Sequence, residues 1–451
     1  MSAVAPLATS GARRWRAVGQ RIGTEWQRRL WPVTLVIAGL ALLAVLTNGS
    51  GRFVIDNHVE LAHRPGALLA RQAHLWDSSA GLGRPNEESW VVAAVVFGLL
   101  RGLGASAALA ERLFHAGLLT IAGAGMVALL RQFRPQRIGL AHVVAGLLFA
   151  FNPYTATSLV PSLLLVPYVL APWFVLVFLR GVREETPWRW AAAFALLAFV
   201  AGTVDIPGLS YGLVPLVPAA VYVVQVERTA SWGRVLAWVA RAALLTIGVF
   251  LTGLVRLAAG AASLADRLGT TERPQYLNAP SSWTETWRGL GFWGAYFRDA
   301  AGLIKPNTAR FYASTGFVLA TFLAPCAALV ALARSKWRPR LLFAAAALLA
   351  MVFMVGSYPA GDPTPYGRLL LRGYDRSLFL WGWRNSYKAG PGWGLGIAAL
   401  AGLAASALAT VLTSRGKAVA AVGGVAVFAA ASFPFWTGQL YNGSSLSASG
   451  V

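Results

Sequence analysis

Apolar runs of about twenty residues, the length that crosses about 30 Å of hydrocarbon, recur along the whole chain and are separated by short loops bearing arginine. The runs lack the strict alternation that a membrane barrel requires, so they read as helices, whose backbone polar groups are satisfied internally. Spans are predicted at 31–47, 110–130, 138–151, 162–178, 190–204, 211–226, 235–257, 313–333, 341–356, 391–412 and 418–435. One more apolar stretch, 90–104, contains Arg101 and ends in glycine-rich sequence. At about fifteen residues it is too short to span, and it is expected to be an interfacial or re-entrant helix.

Composition agrees with this pattern. The chain is 57% hydrophobic and 12% charged, against about a quarter charged in soluble domains, which makes it an all-α polytopic membrane protein. A net charge of +22 would suggest nucleic acid in a soluble protein. Here the arginines lie in loops between spans, where they set topology and meet anionic lipid headgroups, so nucleic acid is excluded as a partner and membrane lipid is expected. The single cysteine, Cys326, falls inside an apolar span and provides neither a disulfide nor a thiolate metal site.

Charge also orients the chain. Arg13, Arg14, Arg16, Arg21, Arg28 and Arg29 precede the first span without a clean small-x-small cleavage site, so residues 1–30 read as a cytoplasmic basic terminus and the first span as a retained signal anchor. With 90–104 not crossing, every basic cluster falls inside: Arg131, Arg134 and Arg137; Arg180, Arg183 and Arg189; Arg228 and Arg234; Arg334, Lys336, Arg338 and Arg340; Arg415 and Lys417. The result is a bundle of about eleven helices over 31–435. Its long extracytoplasmic loops are 48–109, 258–312 and 357–390, and residues 436–451 form a Ser/Gly-rich outer tail or linker. No internal repeat of the kind common in alternating-access transporters is visible.

The chemistry is concentrated outside. The first outer loop holds Asp56, His58, Glu60, His63, His74, Asp77, Glu87 and Glu88 in a chain with only 17 acids. At the water edge of a bilayer a carboxylate such as Asp56 suits a general base for a sugar hydroxyl, with Glu60 and His58 as alternates. The plainer reading of Asp56 is a helix cap. Arg71 and His74 stand three apart on an amphipathic helix, on which they either meet a lipid phosphate or snorkel, with Trp76 as an interfacial ring.

Late in the chain, Trp381-Gly382-Trp383-Arg384-Asn385-Ser386-Tyr387-Lys388 closes the last long loop. Lysine is scarce here, and two cations one helical turn apart suit a polyprenyl phosphate whose leaving oxygen gains charge, although an ordinary interfacial belt reads the same way. Trp283, Trp287, Trp293 and Tyr296 with Glu285 form an aromatic surface able to stack on sugar rings or to lie on lipid. Asp205 sits at an outer helix end, where it either lines the same cavity as a further catalytic alternate or ends the helix. No zinc-protease, phosphate-loop, nucleophile-elbow or dinucleotide motif occurs in a credible context.

The run from Asp56 to Glu60, followed by Arg64-Pro65-Gly66-Ala67-Leu68-Leu69-Ala70-Arg71-Gln72-Ala73-His74-Leu75-Trp76-Asp77-Ser78-Ser79-Ala80-Gly81-Leu82-Gly83, resembles the first outer loop of the actinobacterial α-(1→3)-arabinofuranosyltransferases. Arg384-Asn385-Ser386-Tyr387-Lys388 is similar to the Arg-Asn-x-x-Lys element those proteins carry before a late span. Order and placement match across most of the chain. The resemblance implies a GT-C glycosyltransferase in the plasma membrane, with an extracytoplasmic active site, that moves D-arabinofuranose from decaprenylphosphoryl arabinose to a cell-wall arabinan acceptor. It carries the catalytic base to Asp56 and donor phosphate binding to Arg384 and Lys388, with Arg71 and His74 as further cations. Asn385, Trp76, Trp283 and Trp287 are the candidates for sugar or acceptor contact.

Two features depart from the family pattern: the chain lacks the large extracytoplasmic carbohydrate-binding region, and Arg84-Pro85-Asn86-Glu87-Glu88 replaces an amide- and aromatic-rich segment. No cofactor is required by this reading. Paired acids can hold a divalent cation, while a cationic phosphate site makes one dispensable. The competing readings are a lipid-linked glycan flippase or exporter, which predicts charges at mid-span, and a non-catalytic scaffold of wall synthesis.

Overall fold

The structure, a computed structural model, describes residues 30–48, 52–54, 59–74, 76–77, 84–85, 90–134, 138–159, 165–184, 187–259, 271–299, 302–441 and 445–447. The helices in chain order are α1 Leu30–Leu46, α2 Val59–His63, α3 Pro65–Gln72, α4 Val91–Gly102, α5 Ala107–Phe133, α6 Leu140–Ala150, α7 Pro153–Ser158, α8 Leu165–Arg183 and α9 Pro187–Gly202. They continue with α10 Ile206–Gly212, α11 Leu216–Val221, α12 Trp232–Ala259, α13 Thr315–Arg334, α14 Arg340–Val355, α15 Pro365–Arg376, α16 Gly390–Val411 and α17 Ser414–Ala431. Single helical turns fill part of the segment between α12 and α13, at Pro274–Leu277, Trp283–Trp287 and Arg310–Ala313.

Each apolar run of the sequence falls on a helix. Among the described residues, seven helical stretches are long and apolar enough to cross a membrane, and Leu30–Leu46, Val91–Gly102, Pro187–Gly202 and Arg340–Val355 are shorter apolar helices. The run expected at 211–226 is divided into α10, α11 and a π-helical turn at Tyr222–Val226. Pro215, at the start of α11, and Pro218 explain the division, because each removes a backbone donor and crowds the preceding turn. Helix α4 has 12 residues and reaches only about 18 Å. It packs on α3 and α5 around a small separate core of Leu61, Leu68, Trp90, Ala94 and Phe97.

The main core is built around α16, which packs against α14, α6, α13 and α8. Close packing there depends on small residues, as expected where lipid gives no hydrophobic drive between helices. A Cβ at Gly396 would lie 2.2 Å from the Phe343 carbonyl oxygen, so α16 and α14 touch backbone to backbone.

Side-chain contacts sort the loops into two poles. At one, Phe133 meets Tyr222, Trp337 and Phe343 edge-on, Arg183 pairs with Glu227, and the Trp190 Nε1 donates to Glu184 over 2.7 Å. This pole gathers basic loops that charge parity placed together. At the other, Asn48 accepts from the Leu440 amide and Asn307 Nδ2 donates to the Leu440 carbonyl over 2.9 Å. There His115 Nδ1 lies 2.9 Å from the Tyr441 hydroxyl and the Arg112 guanidinium stands 5.0 Å from the Tyr441 ring centre. The tail read as a linker is therefore docked through Tyr441, and its later Ser445–Ser447 pairs antiparallel with Arg52–Val54 of the first loop. Two further short ladders, Trp76–Asp77 with Arg84–Pro85 and Arg298–Asp299 with Gly302–Leu303, are the other strands among the described residues.

Candidate functional site

Asp205 forms the turn between α9 and α10. Its side chain makes no cap hydrogen bond to the amides of α10, so ending the helix does not occupy its carboxylate. The carboxylate instead lies over the first turn of α10, where a Cβ on Gly208 would come within 2.3 Å of Oδ2, and it reaches Lys388 Nζ at 2.7 Å. Oδ2 has no aligned hydrogen bond, so the contact is an ion pair without hydrogen-bond geometry. Both side chains are largely buried, at 11% and 17% exposure, which screens the pair less than a surface salt bridge.

Lys388 stands in the 3-10 turn Ser386–Ala389 that feeds directly into α16. The segment before it is held from several sides. The Trp383 carbonyl accepts from Tyr211 Oη at 2.8 Å and Tyr374 Oη at 3.1 Å, and the Trp383 Nε1 donates to Ser210 Oγ at 2.6 Å. Asn278 Nδ2 donates to the Arg384 carbonyl and to Ser357 Oγ, both at 3.2 Å, while Ser386 Oγ donates to Asn278 Oδ1 at 2.7 Å. Tyr387 donates to the Gly289 carbonyl at 3.0 Å, lies 2.7 Å from Thr157 Oγ1, and stacks on Tyr154 with ring centres 4.6 Å apart. Burial pushes the Tyr374 phenol up to about 12 against the opposing pull of Arg384, so it remains a proton donor to Trp383 throughout the neutral range.

Arg384 faces Glu272 at 3.4 Å and donates to the Trp381 carbonyl at 3.1 Å. Its Nε and the Asn385 Oδ1 are buried without a partner among the described residues. Buried polar atoms are normally satisfied, so the Arg384 Nε and the Asn385 Oδ1 stand out on the same short segment as Lys388. Asp205, a separate candidate in the sequence, thus comes together at one pole with the element carrying Arg384, Asn385 and Lys388.

The first loop approaches the same place: Val204, next to Asp205, packs against the small core containing Leu61, Leu68 and Trp90. Asp56 and His58 lie outside the described residues. Glu60 is ion-paired with Arg71, and His74 is exposed, as are Trp76 and Trp283, at 56% and 45%. Trp287 is half-buried, and its carbonyl accepts from the Trp393 Nε1 at 3.0 Å. Its neighbour Arg288 is spent on structure, donating to Thr321, Phe311 and Glu285. Tyr296 also donates to Glu285, and its phenol is raised first by burial and then by that carboxylate.

Sequence reading passed over Lys305. It is buried, donates to the Thr157 carbonyl at 2.6 Å and stands 5.0 Å from the Phe292 ring centre. The signal was present, since Lys305 is as scarce a lysine as Lys388. Asn278, Tyr211 and Tyr374 had no sequence signal. Among the described residues, no three His, Cys, Asp or Glu side chains gather as a metal-binding group. The buried charges of α5, Glu111 and Arg112, lie in its first two turns at the site pole and not at mid-helix.

Residues 40–448 match the family described as the α-(1→3)-arabinofuranosyltransferase N-terminal GT-C domain. The chain belongs to this family. Among curated relatives, the α-(1→3)-arabinofuranosyltransferase of Mycobacterium tuberculosis is 25% identical over 79% of this chain and 25% of its own length. That of Mycolicibacterium smegmatis is 26% identical over 73% of this chain and 23% of its own. A cryo-EM structure of the mycobacterial arabinofuranosyltransferase AftD superposes with a TM-score of 0.61 at 21% identity, covering 92% of this chain and 27% of that one. The likeness to that structure is one of fold. This GT-C domain spans about a quarter of the length of the relatives it matches.

Gly208 is a direct test of how the ion pair is set. Gly208→Ala should displace the Asp205 carboxylate from Lys388 and lower stability by about 1–3 kcal/mol, the usual range for overpacking. In an Asp205→Ala background the same change should cost less, because only the 3.0 Å approach to the Pro167 Cγ remains. Thermal unfolding of the four proteins of this cycle measures the coupling.

Proposed function

We propose that this domain transfers D-arabinofuranose from decaprenylphosphoryl arabinose to an arabinan acceptor on the outer face of the plasma membrane, through a bundle crossing about eleven times. The observation that carries the reading is the convergence of Arg384, Asn385 and Lys388 with Asp205 at the site pole of a GT-C family chain. Two fixed cations on a short, hydrogen-bonded segment suit the phosphate of the donor, and their fields grow in value as the leaving oxygen gains charge. The acceptor hydroxyl oxygen bonds to the anomeric carbon as the bond from that carbon to the phosphate oxygen breaks. The hydroxyl proton passes to a carboxylate, and decaprenyl phosphate departs with the electron pair. Attack opposite the leaving group inverts the anomeric centre.

Asp56 is the assigned base, with Glu60, His58 and Asp205 as alternates. Asp205 has the geometry of a carboxylate released when phosphate takes its place on Lys388, whereas Glu60 is already engaged with Arg71. The placement of Glu111 and Arg112 near a helix end, away from mid-span, favours an enzyme over a flippase.

Purified protein given decaprenylphosphoryl arabinofuranose and an arabinan acceptor is expected to form product, with Asp56→Asn reducing turnover by about 10²–10⁴. Full turnover by that variant moves the base elsewhere. Movement of the lipid across vesicle bilayers without any product would replace the enzymatic reading by a flippase.

A further inference from the structure

Helix α15 connects the end of α14 to the segment bearing Arg384, and its two faces are unlike. Gly367 and Tyr374 point inward. A Cβ on Gly367 would lie 3.1 Å from the Gly356 carbonyl oxygen, so α15 rests flat on the backbone where the apolar helix α14 ends. That is the level of the lipid headgroups for any membrane embedding α14.

On the opposite face, Arg368, Arg372 and Arg376 follow one another at every fourth position and are all exposed. Four residues advance a helix by about 40° past a full turn, so the three guanidinium groups form a single stripe with Leu369 on its flank. Leu369, Phe379 and Leu380 continue it as exposed apolar side chains, at 64%, 57% and 39%. The acids facing this stripe are Asp362, which lies 3.3 Å from Arg368 at the exposed start of the helix, and the exposed Asp375. Among the described residues Arg372 and Arg376 have no acidic partner.

We propose that α15 is a lipid-binding helix whose Arg368, Arg372 and Arg376 take the phosphates of anionic phospholipid, while Leu369, Phe379 and Leu380 dip among the upper acyl carbons. Basic amphipathic surfaces of this make-up bind anionic bilayers by both terms together. The helix is not an independent appendage. Tyr374 donates to the Trp383 carbonyl, the Trp381 Nε1 donates to the Tyr374 carbonyl at 2.9 Å, and Leu380 packs against Gly373. A headgroup held by α15 is thereby coupled to the backbone that carries Arg384. The proposal stands whether or not the domain transfers arabinose.

The test uses the full chain with Cys326→Ala and Leu369→Cys, labelled with bimane at residue 369 and placed in nanodiscs of mixed phosphatidylglycerol and phosphatidylcholine. One of the two lipids at a time is brominated near the carbonyl end of its acyl chains. Brominated phosphatidylglycerol should quench the label at least twofold more than brominated phosphatidylcholine, and R368Q/R372Q/R376Q should abolish that difference. R415Q/K417Q at the opposite pole should leave it intact, as a control for overall charge. Equal quenching by the two lipids overturns the proposal. So does a label open to aqueous iodide but untouched by either lipid, or one shielded from both by an acidic protein partner.

Discussion

Replacing Lys388 by Met is expected to lower sugar transfer by about 10²–10³, the cost of removing one group aimed at a developing oxyanion. The effect on stability should be separable. With Lys388 gone, the Asp205 carboxylate, 11% exposed, is left without its cation, and breaking a buried pair from one side costs about 3–5 kcal/mol. Partial solvent access places this case at the lower end. Adding Asp205→Asn removes the stranded charge and should recover most of the unfolding temperature. It should not recover transfer, because the phosphate still lacks the Lys388 cation. A double variant that regains both would show that Lys388 serves only to neutralise Asp205.

The second large effect is expected at Gly390, two residues beyond Lys388. A Cβ there would fall 1.9 Å from the ring of fully buried Tyr154, the ring on which Tyr387 stacks. Alanine is otherwise the better helix former by about 1 kcal/mol, so any loss in Gly390→Ala comes from the collision. Overpacking of this severity costs about 3 kcal/mol or more. It should also shift the turn carrying Lys388, so transfer by the protein that remains folded should fall. Tyr154→Leu shortens the colliding side chain and should restore yield and unfolding temperature in the double variant. Persistent loss in that variant would mean that Gly390 is required for a reason other than room.

The match between sequence and structure is closest where one residue decides one outcome. Positions of the helices follow from apolar runs because burying backbone in hydrocarbon forces internal hydrogen bonding wherever such a run occurs. The break within 206–226 was equally present in the chain, in Pro215 and Pro218, but length alone suggested one span. Arg384 and Lys388 stood out through residue type and spacing. Asp205 was seen as a candidate, yet its choice between ending a helix and facing the cation depended on Gly208, three residues on, leaving room for its carboxylate.

Taken by itself, the sequence determined the membrane class, the helical segments, the grouping of basic loops at one pole and the residue types able to hold a phosphate. These depend on local composition and on charge relative to a bilayer, which act at each segment separately. Tertiary structure decided which acid meets which base: Asp205 with Lys388, Glu272 with Arg384 and Glu60 with Arg71. It also decided that Asn278 and Tyr374 hold the Arg384 segment and that Tyr441 is docked on α5. Those pairings join residues from 9 to 326 positions apart. Such contacts are set by the packing of small residues along α16 and by the room left at particular glycines, and no local pattern in the chain encodes them.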